Sequence, residues 1–272
     1  MTELFTVFGA DGFVGKRLVQ KLSNDGHEVQ SVGREDDYRE KWRDLGHVVY
    51  CVGVTGSRYK TEQFRVVDAH ISAMANVLEH GSYTSFLYMS SARTYEESLS
   101  GTNENAAFRV DPSNISDFYN LSKLMGESLI LNSGIPSARI VRVSYAVDIA
   151  GDSTDNVTEF IRAAGRGSVR FVAHRDSVKD YVVMEDVLSA MPKIAMHGRS
   201  AVYNLASGVN TSTSDIAAML ASETGCVIEF ADEEPIRSPQ PIDVSLLVSE
   251  MSFRAQSLLD YARQVIRSEK PS

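Results

Sequence analysis

Apolar runs of strand length alternate with stretches of helical period from the first residues of the chain. LFTVFG (4–9) reads as a buried strand, FVGKRLVQKLSNDG (13–26) as a helix ending at Gly26, HEVQSVG (27–33) as a second strand and HVVYCVG (47–53) as a third. TEQFRVVDAHISAMANVLEHG (61–81) places apolar residues at steps of three and four and predicts one long helix, followed by a strand at SFLYMSS (85–91). SDFYNLSKLMGESLILNSG (116–134) predicts a helix capped by Ser116 or Asp117 and stopped by Gly134, and ARIVRVSY (138–145) a further strand. This alternation implies an α/β protein whose parallel sheet is covered on both faces, with ligands at the carboxyl ends of the strands.

After Tyr145 the rhythm loosens. VTEFIRAAGRG (157–167) predicts a short helix, and EDVLSAMPKIAMHG (185–198) a helix that contains Pro192 or is split by it. AVYNLASG (201–208), TSDIAAMLASETG (213–225) and CVIEFADEE (226–234) read as further β and α pieces. EEPIRSPQPID (233–243) holds three of the seven prolines and predicts extended chain wrapping the surface. The division expected is a dinucleotide-binding domain over 1–145 and a substrate-binding lobe over most of 146–272, with some later elements returning to the first sheet.

Composition narrows the function classes. At 272 residues and 43% hydrophobic content the chain can bury a large core, and 36 acidic against 27 basic side chains leave a net charge of -9 with no basic block. Nucleic acid and anionic membranes are therefore not expected as partners. Two cysteines, Cys51 and Cys226, stand far apart without ligand spacing, so no metal is expected and a reducing, cytoplasmic location is.

Gly9, Gly12 and Gly15 follow the first predicted strand and enter the first predicted helix. There the first glycine permits a tight turn, the second lets the backbone approach an anion, and the third lets helix and strand pack closely, so that backbone N–H groups can hold a pyrophosphate. This context points to a Rossmann-like, doubly wound sheet, although the spacing differs from the usual G-x-G-x-x-G. The second strand ends in Gly33 and Arg34 rather than in an acidic residue. A guanidinium beside the adenosine ribose suits a 2′-phosphate and favours NADP over NAD; the alternative is a solvated Arg34 with Glu35, Asp36 or Asp37 on the ribose. The expected cofactor contacts are Gly9, Gly12, Phe13, Val14, Gly15, Arg34, the Cys51-Val52-Gly53 end of the third strand, Tyr119 and Lys123.

Tyr119 and Lys123 lie four apart on a predicted helix and so share one face. An ammonium held near a phenol favours the phenolate, which is what a tyrosine needs to exchange a proton with an alcohol near neutral pH. Ser91, at the end of the fourth strand, is placed to hydrogen-bond a substrate oxygen. Glycine turn, serine and Tyr-x-x-x-Lys converge on one carboxyl edge of a parallel sheet.

With these motifs the chain resembles the extended short-chain dehydrogenases/reductases, within them the NAD-dependent epimerase/dehydratase group. The segments that carry the likeness are GADGFVG, NVLEHG, FLYMSSARTYE, YNLSK, VRVSY, KDYVVMEDV and YNLASG. The resemblance implies Tyr119 as acid/base, Lys123 as its electrostatic partner and a ribose ligand, Ser91 rather than Ser90 as polariser, and a homodimer built on the Tyr-x-x-x-Lys helix. It also implies a nucleotide sugar as substrate, with Ser91, Arg93, Tyr145 and Lys179 as contacts and Arg142 and Arg175 as further positive charge.

Family dehydratases carry an Asp-Glu pair directly after the active serine or threonine, and members that epimerise beside a ketone carry a cysteine at the second of those positions; here they are Ala92 and Arg93. His70 stands where the family often has Asn, and Lys179 where it usually has Arg. The expectation is an NADP-dependent reductase of a 4-keto nucleotide sugar, with a 4-epimerase as the alternative and a non-catalytic dinucleotide-binding sensor or scaffold as the third reading.

Overall fold

The computed structural model describes residues 1–34, 36, 44–54, 56–149, 155–232 and 234–268. Six strands form a central parallel sheet: β1 (Leu4–Phe8), β2 (Glu28–Val32), β3 (His47–Tyr50), β4 (Ser85–Ser91), β5 (Ala138–Val143) and β9 (Val202–Leu205), in the spatial order β2-β1-β3-β4-β5-β9. The chain lays β2 on one side of β1 and β3 on the other. That reversal opens a crevice at the carboxyl end of β1, where doubly wound folds bind ligands.

Both faces of this sheet are covered, because alternate residues of a strand point to opposite sides. Phe5, Val7, Val49, Leu87 and Val141 pack against α1 (Phe13–Asn24) and α6 (Met184–His197). Phe8, Val48, Tyr50, Phe86, Tyr88 and Ile140 pack against α3 (Ala73–His80) and α4 (Ile115–Asn132). Helix α1 buries Val14, Leu18 and Leu22, one residue per turn, which is the face its period predicts.

The later chain builds a smaller unit on the same scaffold. β6 (Tyr145–Val147) continues from β5 after a break at Ser144 and pairs with β8 (Val178–Val183), which also pairs with β10 (Asn210–Ser212). β7 (Ser168–Phe171) pairs with β11 (Val227–Phe230), and a second core of Val147, Val157, Phe171, Ile216, Leu220 and Ala262 joins these strands to α5 (Asn156–Gly165), α7 (Thr213–Thr224) and α9 (Leu258–Ser268). β8 runs directly into α6, and β9 then returns to the edge of the first sheet.

Two local features differ from the sequence reading, a third decides between its alternatives, and a fourth adds to it. The helix expected over 61–81 begins as α2 (Gln63–Val67) and passes through a π-helical turn, Asp68–Ser72, before α3. Helix α4 is capped by Asn114, whose side chain accepts the Ser116 N–H at 2.9 Å, rather than by Ser116 or Asp117. Helix α6 runs through the buried Pro192 without splitting, giving up one backbone hydrogen bond inside a packed core. The chain after residue 243 carries α8 (Ser245–Met251) and α9, which pack their apolar sides on the two cores.

Candidate active site

The first turn is built around its glycines. Gly9 has φ +80 and sits so close to β3 that a Cβ would lie 2.9 Å from the backbone of Cys51 and Val52. Gly9 and Ala10 donate their N–H groups to Val32 O at 2.8 and 3.1 Å, which ties the turn to the end of β2. At Gly15 a Cβ would fall 2.1 Å from Gly9 O, so only glycine lets α1 seat on the turn. Gly12 caps α1 without a side-chain oxygen, and the N–H groups of Phe13 and Val14 open the helix there, in the arrangement that holds a phosphate. A nicotinamide dinucleotide fits these residues.

Beyond the turn, Arg34 donates its backbone N–H to Asp11 Oδ2 at 3.1 Å, and Gly33 donates to Asp36 Oδ2 at 2.7 Å. Two carboxylates thus fix the backbone at the end of β2, and the Arg34 side chain is exposed beside them. Glu35 and Asp37 lie outside the described residues. On the other side of β1, Cys51 is buried, which pushes its thiol up to about 12 and leaves it protonated. Gly53 faces His70 and Lys123: a Cβ there would lie 3.1 Å from His70 Nε2 and 3.7 Å from Lys123 Nζ.

Tyr119, Lys123 and Glu127 follow at four-residue steps along one face of α4. Lys123 is only 3% exposed and donates to Met89 O at 3.0 Å, with burial lowering its pKa to about 8. Burial raises the Tyr119 phenol; the groups that pull it back are the Ser91 hydroxyl, by hydrogen bonding, and the Arg93 guanidinium, by its charge. Ser91 caps the 3-10 turn Ala92–Glu97, its Oγ accepting the Arg93 N–H at 3.2 Å.

His70 lies inside the π-helical turn with its ring edge-on to Tyr119 at 5.5 Å. Its Nε2 accepts the Val54 N–H at 3.2 Å, which assigns the ring proton to Nδ1, 2.8 Å from Ser122 Oγ. Burial and the charge of Lys123 lower its pKa to about 2, so the ring is neutral.

Ser91, Arg93 and Tyr119 line one cleft of about 400 Å³ together with Tyr145, Lys179 and Arg237. Lys179 Nζ stands 4.0 Å from the centre of the Tyr145 ring. Two buried oxygens of this cleft, Ser144 Oγ and Asn210 Oδ1, have no hydrogen-bond partner among the described residues. A second cavity of about 300 Å³, lined by Phe160, Phe171, Tyr181 and Ile216, shares Lys179 and Arg237 with the first.

Arg237 went unmarked in the sequence because it sits in the proline-rich segment. That segment walls the cleft with Arg237, Pro239, Gln240 and Ile242, tied down by Val178 N–H to Arg237 O at 2.8 Å and Asn210 Nδ2 to Pro239 O at 2.7 Å. Two expected charges lie elsewhere. Arg142 is buried on Glu127, and Arg175 pairs with Asp232 at 2.7 Å; neither lines the cleft.

Among the described residues no cluster of three His, Cys, Asp or Glu side chains is arranged to hold a metal, and no helix is long and apolar enough to cross a membrane. A family model described as the NAD dependent epimerase/dehydratase family matches residues 5–206. No curated protein matches the chain in sequence. Solved structures share the fold at low identity. RMD from Pseudomonas aeruginosa, complexed with NADPH, is 22% identical with a TM-score of 0.78 and coverage of 98% of each chain. MoeE5 in complex with UDP-glucose and NAD is 19% identical, TM-score 0.80, with 97% of each chain covered. UDP-glucuronic acid 4-epimerase from Bacillus cereus, with UDP-glucuronic acid and NAD, is 18% identical, TM-score 0.76, covering 98% of this chain and 99% of that one.

Proposed function

The chain belongs to the NAD dependent epimerase/dehydratase family, and on that premise we propose that it reduces a 4-keto nucleotide sugar with NADPH. The observation that carries this reading is the shared cleft: Ser91 and Tyr119 stand in it with Lys179 and Arg237. A hydroxyl and a phenol serve a carbonyl, and two cations serve a diphosphate. The unpartnered Ser144 Oγ and Asn210 Oδ1 call for a hydroxylated ligand in the same place. UDP-sugars bound in structural neighbours support that substrate class.

Reduced nicotinamide, when bound, supplies the hydride. The N–H groups at the start of α1, with Gly9, Gly12 and Gly15, would hold its pyrophosphate, Gly53 leaves room beside Lys123, and the Lys123 ammonium would bind the ribose. Ser91 donates a hydrogen bond to the keto oxygen, and Tyr119 gives that oxygen its phenolic proton. Residues 92 and 93, alanine and arginine, offer neither carboxylate nor thiol as an extra base, which argues against elimination and against epimerisation beside the ketone. Arg34, exposed at the end of β2, supports NADP through a 2′-phosphate.

The 4-epimerase reading is favoured by a different observation, the Asp11 and Asp36 carboxylates beside Arg34, which oppose a 2′-phosphate and suit the free ribose of NAD. Exposed Phe64 (92%), Val67 and Met125 on the neighbouring helices α2 and α4 support a homodimer, and two free buried thiols suit the cytoplasm.

The test is purified protein with NADPH and a panel of 4-keto nucleotide sugars. Stoichiometric NADPH oxidation, abolished by Tyr119→Phe, is expected. Interconversion of 4-epimers with no net cofactor consumption would replace this reading with the epimerase, and tight NADPH binding without turnover of any sugar would leave a sensor.

A further inference from the structure

Several polar groups that line the cleft are already paired within the chain. Asp180 accepts the Ser207 and Gly208 N–H groups at 2.9 and 2.8 Å, and Arg93 Nη2 donates to the Tyr59 hydroxyl at 3.2 Å and to Ser116 O at 3.4 Å. Ser144 Oγ and Asn210 Oδ1 are buried in the same cleft without a partner among the described residues. A buried polar atom left unpaired is costly, so whatever fills the cleft must pair with both.

The backbone fixes where these two atoms stand. Ser144 follows Val143, the residue in register with Ser91, and its N–H donates to Leu205 O at 3.0 Å. It thus leaves the strand next to that of Ser91, one residue further out. Asn210 opens β10 in register with Asp180, and the following Thr211 is in register with Lys179. Asn210 Nδ2 donates to Pro239 O at 2.7 Å. A carbonyl only accepts, so this bond sets the orientation of the amide and leaves Oδ1 as the unpaired atom. A carboxamide oxygen has no proton of its own, and the ligand must bring the donor.

We propose that Asn210 and Ser144 are specificity-determining residues that read ring hydroxyls of the sugar and discriminate against its deoxygenated analogues. The proposal rests on the nucleotide-sugar reading of the cleft. With the C4 keto oxygen on Ser91, the hydroxyl on an adjoining ring carbon is that at C3, and it pairs with Ser144 Oγ on the adjoining strand. With the diphosphate on Lys179 and Arg237, the ring substituent next to the anomeric carbon is that at C2, and its hydroxyl donates to Asn210 Oδ1. A sugar lacking either hydroxyl strands a buried polar atom, which is why a site built to hydrogen-bond a hydroxyl rejects the analogue without it.

The experiment is a calorimetric titration of the NADPH-loaded full chain with UDP-glucose, UDP-2-deoxy-2-fluoroglucose and UDP-3-deoxy-3-fluoroglucose. Fluorine fills the place of the hydroxyl and has no proton to donate. The parent is expected to bind UDP-glucose about tenfold or more tighter than either analogue. Asn210→Leu should bring the 2-fluoro analogue within about twofold of UDP-glucose and keep the discrimination at C3, and Ser144→Ala should do the converse. Residues that merely support the fold would weaken all three ligands alike. Should Asn210→Leu fail to fold for want of its tie to Pro239, Ser144→Ala, which breaks no side-chain hydrogen bond among the described residues, carries the test at C3. Parent affinities for the three ligands within about twofold of one another, a ratio that survives its own substitution, or no binding of UDP-glucose would overturn the proposal. Selective binding without NADPH oxidation by any 4-keto nucleotide sugar would remove the reductase reading and leave the proposal standing, and oxidation without this selectivity would do the reverse.

Discussion

Arg142 of β5 and Glu127 of α4 form a buried ion pair, Nη2 to Oε2 at 2.6 Å and Nε to Oε1 at 3.0 Å, with the two residues 3% and 2% exposed. The same carboxylate accepts Ser90 Oγ at 2.5 Å, and Arg142 Nη1 donates to the Tyr95 hydroxyl at 2.7 Å. Glu127 stands one turn beyond Lys123 and Ser90 one residue before Ser91, so the network pins α4 against β4 directly beneath the site. Truncating one partner strands the other charge in the core, at a cost of about 3–5 kcal/mol. Arg142→Met should lose stability of that order in urea unfolding; a loss below about 1 kcal/mol would show the pair to be structurally idle.

Gly15 and Gly26 separate a close approach from a mere turn. A Cβ at Gly15 meets Gly9 O at 2.1 Å, whereas Gly26, at φ +84, has nothing within 4 Å. Gly15→Ala should push α1 off the turn and weaken NADPH binding about tenfold or more, a loss of about 1.4 kcal/mol. Gly26→Ala should reduce stability by about 1–2 kcal/mol through its left-handed backbone and leave the affinity alone. Equal NADPH affinities in a fluorescence titration would contradict the assignment of the cradle.

His70 makes stability depend on pH. Its folded pKa, about 2, is far below the ordinary imidazole value of 6.5, so between those values the unfolded chain binds a proton that the folded chain excludes. Stability from this group is whole above pH 6.5 and declines as the pH falls toward about 2. His70→Asn should flatten the stability curve between about pH 6 and about pH 4, removing up to about 1.4 kcal/mol per pH unit. Parallel curves for the two proteins would mean that His70 titrates alike folded and unfolded.

Arg34 decides between the two cofactors if its exposed guanidinium meets a 2′-phosphate. Arg34→Ser should then weaken NADPH about tenfold or more and change NADH less than about twofold, the difference expected of one charge-assisted contact. Asp11→Asn and Asp36→Asn, which remove the opposing carboxylates, should tighten NADPH. Equal losses for both cofactors in Arg34→Ser would place the ribose on Asp36 instead.

Local pattern alone determined the strand-turn-helix of residues 4–24 and the shared face of Tyr119 and Lys123, because both depend on short-range geometry: a glycine's missing Cβ in one case, the 3.6-residue period in the other. The parallel, doubly wound character of the sheet was legible for the same reason, since alternating β and α elements admit few connections. Tertiary packing decided what each charge does. Arg142 and Arg93 look alike along the chain, yet one is buried on Glu127 and the other packs over the rings of Tyr59 and Tyr119, partners 15, 34 and 26 residues away. Arg237 became a wall of the cleft only when its proline-rich segment was tied to β8 and β10. His70 turned inward only within a π-helical turn that the apolar period does not encode. Such placements follow from which surfaces meet across the sheet, and that information belongs to pairs of distant residues rather than to any one stretch of sequence.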